Sequence, residues 1–378
     1  MKNKLIRLAL AFLKLGFTAF GGPATSYAMM REEFVLRKKW LSEEEFFDYL
    51  GIANLVPGPN ATELAMLIGY HSAGAWGFVV AGVCLVFPAM LTVLGFAWSY
   101  VQFGTLPVLD GVLYAIKPVV VAILLSALWG LIKPRVKQTA GMLVAVGVAA
   151  AYLLGVSPIP LMLGGGMLML LITLFNKTGG VPMLLLIGGM PAGLFNRLAE
   201  RTAFSLSRLF WVFLKAGALM YGSGYVLLAF IHEDLVVQLQ WLTESQLIDA
   251  VAVGQVTPGP LFTTATFVGY VLGGLPAALL ATLGMFLPSM IIMVIMLMVY
   301  EKVRNSTTIS KFLTGVNFAA LGLMAGVTWE VARTAVIDPL TGVIAAAALF
   351  LIVRFKVSAP WLILGGAAIG LIRMAFTG

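Results

Sequence analysis

Val56-Pro57-Gly58-Pro59-Asn60-Ala61-Thr62-Glu63 interrupts an apolar segment, and Thr257-Pro258-Gly259-Pro260-Leu261-Phe262-Thr263-Thr264 interrupts another at the matching place in the second half of the chain. Neither stretch can remain helical. Proline lacks an N–H and clashes with the preceding turn, and the glycine between the prolines admits unusual dihedrals. In a membrane such a break must be buried in protein or line a cavity, because nothing else satisfies the freed backbone groups. Two matched breaks in two matched halves point to a transport site.

The surrounding composition puts the breaks in a bilayer. Of 378 residues, 61% are hydrophobic and only 11% charged, and the mean hydropathy is +1.00. Soluble domains carry about 25% charged residues. The expected class is an all-α polytopic membrane protein. The net charge of +8 lies at span ends, without basic stripes and interleaved aromatics, so it anchors the chain and does not imply nucleic acid. Cys84 stands alone, which excludes an intrachain disulfide, and His71 and His232 have no cysteine neighbours, so no metal constellation arises. Phosphate loops, nucleotide fingerprints and nucleophile motifs are missing; neither an enzyme nor a cofactor is expected. Lys14 breaks the first apolar run and no small-residue cleavage site follows, so that run reads as a first helix and not a signal peptide.

In order, an apolar segment from Leu5 to Met30 is interrupted at Phe20-Gly21-Gly22-Pro23, and a charged loop carries Arg31, Glu32, Glu33, Arg37, Lys38 and Lys39. Ser42-x-x-Glu45 is a capping box opening a helix to Val56. That helix is about 21 Å long at 1.5 Å per residue, too short for a hydrocarbon core of about 30 Å. After the break a second short helix runs from Asn60 to His71. The pair reads as a re-entrant hairpin with its tip near mid-membrane. Spans follow at 74–99, 107–131, 139–154 and 158–175.

The second half replays the first. Phe12-Leu13-Lys14-x-Gly16 matches Phe213-Leu214-Lys215-x-Gly217, Phe20-Gly21 matches Tyr221-Gly222, and Trp40-Leu41 matches Trp241-Leu242. Ser42-x-x-Glu45 matches Thr243-x-x-Gln246, Gly69-Tyr70 matches Gly269-Tyr270, and Pro88 matches Pro288. The near-constant shift marks a duplication: a first repeat over 1–176, a linker over 177–206, and a second repeat over 207–378. Whether the apolar stretch Val181–Phe195 inside the linker crosses the membrane stays open.

Charge bias sets the orientation. Cytoplasmic loops carry the excess Lys and Arg. Arg31–Lys39 holds four basic residues and its counterpart His232–Gln240 none; the loop near Gln102–Asp110 has none and its counterpart has Lys302, Arg304 and Lys311. Lys133, Arg135 and Lys137 face a counterpart around Ala335–Asp338 with none, although Arg333 sits just before it, and Arg354 and Lys356 face the uncharged loop Gly155–Pro158. The expectation is two inverted-topology repeats of about five spans each, each with a re-entrant Pro-Gly-Pro hairpin.

Inverted repeats bring the two tips together from opposite faces. Each tip opens a helix N-terminus, which favours anions. Pro57, Gly58, Pro59, Asn60 and Thr62 in one tip, and Pro258, Gly259, Pro260, Thr263 and Thr264 in the other, are candidate oxyanion contacts, together with Gly21, Gly22 and Gly222 at the earlier breaks. Lys14 and Lys215 occupy equivalent places in otherwise apolar helices, where a lysine costs about 2.5–3.5 kcal/mol on insertion scales. They either line the pathway or snorkel to the interface. Glu63 either couples a proton or pairs with a lysine; its counterpart is Thr264.

Phe20-Gly21-Gly22-Pro23, Glu33-Phe34-Val35, Trp40-Leu41, Pro57-Gly58-Pro59 and Gly69-Tyr70, in that order and spacing, resemble the chromate ion transporter family over essentially the whole chain, as in its two-domain members. The resemblance implies a prokaryotic inner-membrane protein that exports chromate using the proton motive force, with sulfate as a structural mimic. A passive oxyanion channel is the alternative, and a homodimer is a further expectation. The second copy departs from the pattern: Ser223-Gly224 replaces Gly22-Pro23, and Thr264 replaces Glu63. Identical roles for the two halves are therefore not expected.

Overall fold

A computed structural model of the chain describes residues 2–19, 23–103, 107–178, 203–221, 224–304 and 306–377, and every described element is helical. The first half contains α1 (Lys2–Thr18), α2 (Pro23–Arg31), α3 (Glu43–Ala53), α4 (Asn60–Phe103), α5 (Pro107–Ile132), α6 (Thr139–Leu153) and α7 (Pro158–Thr178). The second contains α8 (Leu206–Leu219), α9 (Val226–Ile231), α10 (Glu244–Val256), α11 (Thr264–Arg304), α12 (Thr307–Ala335), α13 (Pro339–Phe355) and α14 (Ala359–Thr377). Among the described residues, five helical stretches are long and apolar enough to cross a membrane: Asn60–Phe103, Gly111–Arg135, Leu261–Tyr300, Thr307–Ala335 and Ala359–Phe376. Three shorter apolar helices, Thr139–Leu153, Pro158–Thr173 and Pro339–Phe355, accompany them. The chain is a multi-pass helical membrane protein. Val181–Phe195 lies outside the described residues.

Local chemistry sets the boundaries. Both capping boxes form: Ser42 accepts from Glu45 N–H while the Glu45 carboxylate accepts from Ser42 N–H, and Thr243 and Gln246 do the same. α10 stops at Val256, and Thr257 turns extended (ψ 145°) as a residue before proline prefers. α3 ends at Ala53, three residues before the expected Val56, because Asn54 caps it and a turn begins ahead of Pro57.

The expected charged loop after α2 is instead a wide helical turn. Glu32–Arg37 and its counterpart His232–Gln238 are π-helical. Lys38 N–H reaches back to Glu33 O at 3.0 Å, and Leu239 N–H to Asp234 O at 2.9 Å. The widened turn lets Phe34 bury completely between Phe12 (ring centroids 4.8 Å) and Trp40 (5.4 Å). Burial of that ring favours helical over loop backbone, a gain the charge-rich sequence conceals.

Each break is followed by a reversal. α4 kinks at Ala73–Gly74 and α11 at Gly273–Gly274, where Gly74 and Gly274 take φ of +63° and +68°, values that favour glycine. The chain folds back on itself there. A Cβ on Gly69 would lie 2.2 Å from Gly77 O, and one on Gly82 would lie 2.9 Å from Met66 Cγ. In α11 the Thr266 and Thr282 hydroxyls meet at 2.7 Å. The arm 60–72 thus runs antiparallel to the long arm 75–103, and 264–272 to 275–304.

The halves are interlocked. α1 packs along α4 as α8 packs along α11, with Gly16 under Leu85 and Pro88 and Gly217 under Met285. The last helices are exchanged: α6 and α7 pack on α12, while α13 and α14 pack on α5. Small residues permit the close approach. Gly165 abuts Gly315 and Ala319, Gly322 abuts Ala145, and Gly370 abuts Gly111. The two long arms also touch each other, as do α5 and α12.

Candidate functional site

The two tips meet the opposite half at the middle of its long arm. A Cβ on Gly58 (φ +136°) would come within 2.6 Å of Ser289 Cβ, and one on Gly259 (φ +93°) within 2.6 Å of Ala89 Cβ. Pro88 and Pro288 sit beside these contact points. The second tip is also tied to the first half through its backbone, since Gly259 N–H donates to Ala19 O at 2.9 Å. Each glycine is needed twice, once for its dihedral and once for the missing side chain.

Between the tips lies a cleft of about 140 Å³. One wall carries Tyr27, Pro59, Asn60 and Ala61; the other carries Gln255, Thr257, Gly259 and Pro260. One water occupies about 30 Å³, so a four-oxygen anion fits. A larger cavity of about 350 Å³ adjoins it, sharing Asn54 and Asn60 and adding Arg135, Tyr221 and Asn317. Asn60 Nδ2 donates to Asn54 Oδ1 at 2.9 Å, and the Tyr221 hydroxyl donates to Asn54 O at 2.7 Å. Arg135 spends one N–H on Leu131 O at 2.9 Å. Its remaining donors, with the Asn60 and Asn317 amides, give one cavity a positive charge and several donors, and among the described residues no carboxylate lines it. Such a set recognises tetrahedral oxyanions by charge-assisted hydrogen bonds.

Glu63 lines neither space. It is fully buried, and neither carboxyl oxygen has a hydrogen-bond partner in the structure. Its Oε1 lies where a Gly58 side chain would project. Tyr27 of the cleft and Tyr221 of the larger cavity are both within electrostatic reach of it. Among the described residues no lysine pairs with it: Lys215 binds Asp234 at 2.6 Å, and Lys38 binds Glu33 at 3.2 Å.

The remaining sequence candidates scatter. Thr62 is buried at the floor of an apolar cleft between α4 and α11, with Met66 and Thr282. Pro57 borders a separate apolar pocket beside Leu219 and Tyr221. Thr263 and Thr264 are buried and turn their hydroxyls onto Pro260 O and Leu261 O at 2.9 and 2.7 Å, so they brace the second tip. Pro258 is buried within the same turn. There the helix begins with a 3-10 turn, Leu261–Thr263, whereas α4 begins directly at Asn60. Lys14 is exposed on α1 and lines neither cavity; Lys215 is held by Asp234. Gly21, Gly22 and Gly222 lie outside the described residues.

Arg135, Asn317 and Tyr221 were not anticipated as site residues. Arg135 reads in sequence as an orientation marker, and Tyr221 only as the counterpart of Phe20. A signal for Asn317 exists: a shift of 200 pairs it with Lys117, which puts a polar residue at the same position of both repeats.

A family model described as chromate transporter matches residues 6–170 and again residues 207–371. The chain belongs to the chromate transporter family. Two matches in one chain fit a repeat. A chromate transport protein of Cupriavidus metallidurans is 32% identical over 379 residues, covering 97% of this chain and 93% of that one. A probable chromate transport protein of Synechococcus elongatus is 30% identical over 346 residues, covering 88% and 86%. The uncharacterized transporter YwrA of Bacillus subtilis is 36% identical over 125 residues, which are 33% of this chain but 70% of that one. No solved structure matches the chain.

Proposed function

We propose that this member of the chromate transporter family is a secondary transporter that exports chromate, or a similar divalent oxyanion such as sulfate, through the space between its two Pro-Gly-Pro tips. The observation that carries this reading is the pair of adjoining cavities: backbone and amide groups of both tips, the Arg135 charge, and no lining carboxylate among the described residues. Pro59, Asn60, Gly259 and Pro260 shape the passage, Arg135 and Asn317 supply charge and donors, and Gly58 holds the first tip against α11. Thr62, Thr263, Thr264, Pro57 and Pro258 hold the tip geometry. The names of the relatives from Cupriavidus metallidurans and Synechococcus elongatus support chromate as the cargo.

Glu63 is the proton-coupling group in this reading. A buried carboxyl without a cation favours a single protonation state until its surroundings change. A passing oxyanion beside it changes them. The repeats, 1–176 and 207–378 joined by 177–206, lie in a prokaryotic inner membrane, and the opposed Lys and Arg bias supports their inversion. The test is chromate flux into proteoliposomes with and without an imposed pH gradient. Coupled transport predicts that flux collapses when the gradient is removed. Undiminished flux down the chromate gradient alone would favour a passive channel instead.

A further inference from the structure

A second cluster of titratable groups lies outside the anion cavities, around His232. The ring is buried at 2% exposure. Its Nε2 is 2.7 Å from Glu244 Oε1, in the first turn of α10. Its Nδ1 is 3.1 Å from Glu330 Oε2 on α12 and 2.8 Å from the hydroxyl of Tyr152 on α6. Tyr152 is itself fully buried and donates to Glu330 Oε2 at 3.2 Å. Glu233, the next residue along the π-helical turn, adds a further negative charge nearby. Four elements from both halves converge on one imidazole.

The repeat supplies a comparison inside the same molecule. A shift of 201 maps His232 onto Arg31 and Glu244 onto Glu43. Arg31 and Glu43 form the corresponding ion pair, with Arg31 Nε donating to Glu43 Oε2 at 2.9 Å. The first half therefore closes this joint with a permanent cation, and the second half with a cation that can lose its charge in the physiological range. At the shift of 200 that pairs Trp129 with Trp329, Glu330 maps onto Gly130, so the second carboxylate exists only where the histidine does.

We propose that His232 is a proton-binding site and that its proton latches α10 and α12 together through Glu244 and Glu330. Ionised carboxylates only accept hydrogen bonds, so a ring with a carboxylate at each nitrogen is satisfied when both nitrogens carry a proton. A neutral ring has one donor. Either Glu244 then faces a lone pair and is released, or Glu330 does and keeps only the Tyr152 hydroxyl. Burial draws the imidazole toward its neutral form, but the Glu244 hydrogen bond and the charges of Glu330, Glu244 and Glu233 outweigh it, so the pKa lies above the usual 6.5. The latch therefore closes below the raised His232 pKa and opens as pH rises through it. α12 also carries Asn317 into the Arg135 cavity, so the latch fixes the helix that supplies a donor there. It does not depend on which anion is carried.

The test uses the full-length protein in detergent. The chain has two histidines, so His71→Gln leaves His232 as the one ring to titrate by NMR. Melting temperature is followed from about pH 5.5 to 8.5 around the ordinary histidine value. The expected result is a melting temperature that falls as pH rises through the His232 titration, and a flat profile in His232→Arg, where the cation is permanent. The same alkaline fall in His232→Arg as in the parent would overturn the proposal. If that variant does not fold, Glu330→Gln decides: it must move the ring titration to lower pH, and an unmoved titration overturns the latch.

Discussion

Gly58 rests directly on Ser289, so the first Pro-Gly-Pro tip is seated at the midpoint of the second half's long arm. Gly259 repeats the arrangement on Ala89. Placing each break against the opposite half is what turns two backbone interruptions into one cleft.

Gly58→Ala is expected to be the more damaging of the two tip substitutions. A φ of +136° strains any L side chain, and the new methyl would meet both Ser289 Cβ and Glu63 Oε1 at about 2.5 Å. Backbone strain of this kind costs about 1–3 kcal/mol. Gly259→Ala carries a similar strain but meets only the Ala89 methyl closely. Thermal unfolding in detergent should show both destabilised, Gly58→Ala more, and chromate flux should fall in the same order.

Glu63→Gln should uncouple flux from the pH gradient. Glutamine fills the same volume without a titrating group, and no salt bridge is lost, because neither oxygen has a partner. Exchange of chromate for chromate at equal pH should persist, while stimulation by a gradient should disappear. A Glu63→Gln protein that still responds fully to the gradient moves the coupling role to another residue.

Asp338 links the exchanged helices and should give the fold an acid-sensitive joint. Its carboxylate accepts from Thr341 N–H at 2.8 Å to cap α13, and from the Tyr114 hydroxyl on α5. The Thr341 backbone bond first, and the Tyr114 hydroxyl second, hold its pKa below the ordinary 3.8. A depressed carboxyl contributes stability that is present above its ordinary pKa and is lost as pH falls through the folded value. Asp338→Ala should lower the melting temperature at neutral pH and reduce the difference between neutral and pH 3 measurements.

Inverted orientation has its own readout. Leu36 and Val237 are repeat equivalents on the two π-helical turns. In a Cys84→Ser background, Leu36→Cys and Val237→Cys should react with an impermeant thiol reagent from opposite sides. Labelling of both from one side removes the inverted arrangement.

Much of the fold is local and so was readable. Proline and glycine fix the breaks at 57–59 and 258–260, and Ser42, Glu45, Thr243 and Gln246 announce helix starts through contacts three residues long. The exchange of α6–α7 for α13–α14 was not readable, since the small residues that permit it, such as Gly165 and Gly315, mark close packing without naming a partner. The π-helical turns were hidden because Glu32, Glu33 and Arg37 dominate the pattern, while a single ring, Phe34, decides the backbone. Arg135 reaches the cavity only because the α5–α6 connection packs beside a tip distant in sequence, and no spacing rule encodes that. Lys14 and Lys215 drew notice as charges in apolar helices, but exposure accommodates one and Asp234 the other.

The most direct measurement is equilibrium binding of labelled chromate to the purified protein, comparing wild type with Arg135→Ala and Asn317→Leu. Hydrogen bonds to charged groups contribute about 1.5–3 kcal/mol each, so passage through the adjoining cavities predicts affinity at least about tenfold weaker in Arg135→Ala and a smaller loss in Asn317→Leu. Unchanged chromate affinity in both folded variants would contradict the account.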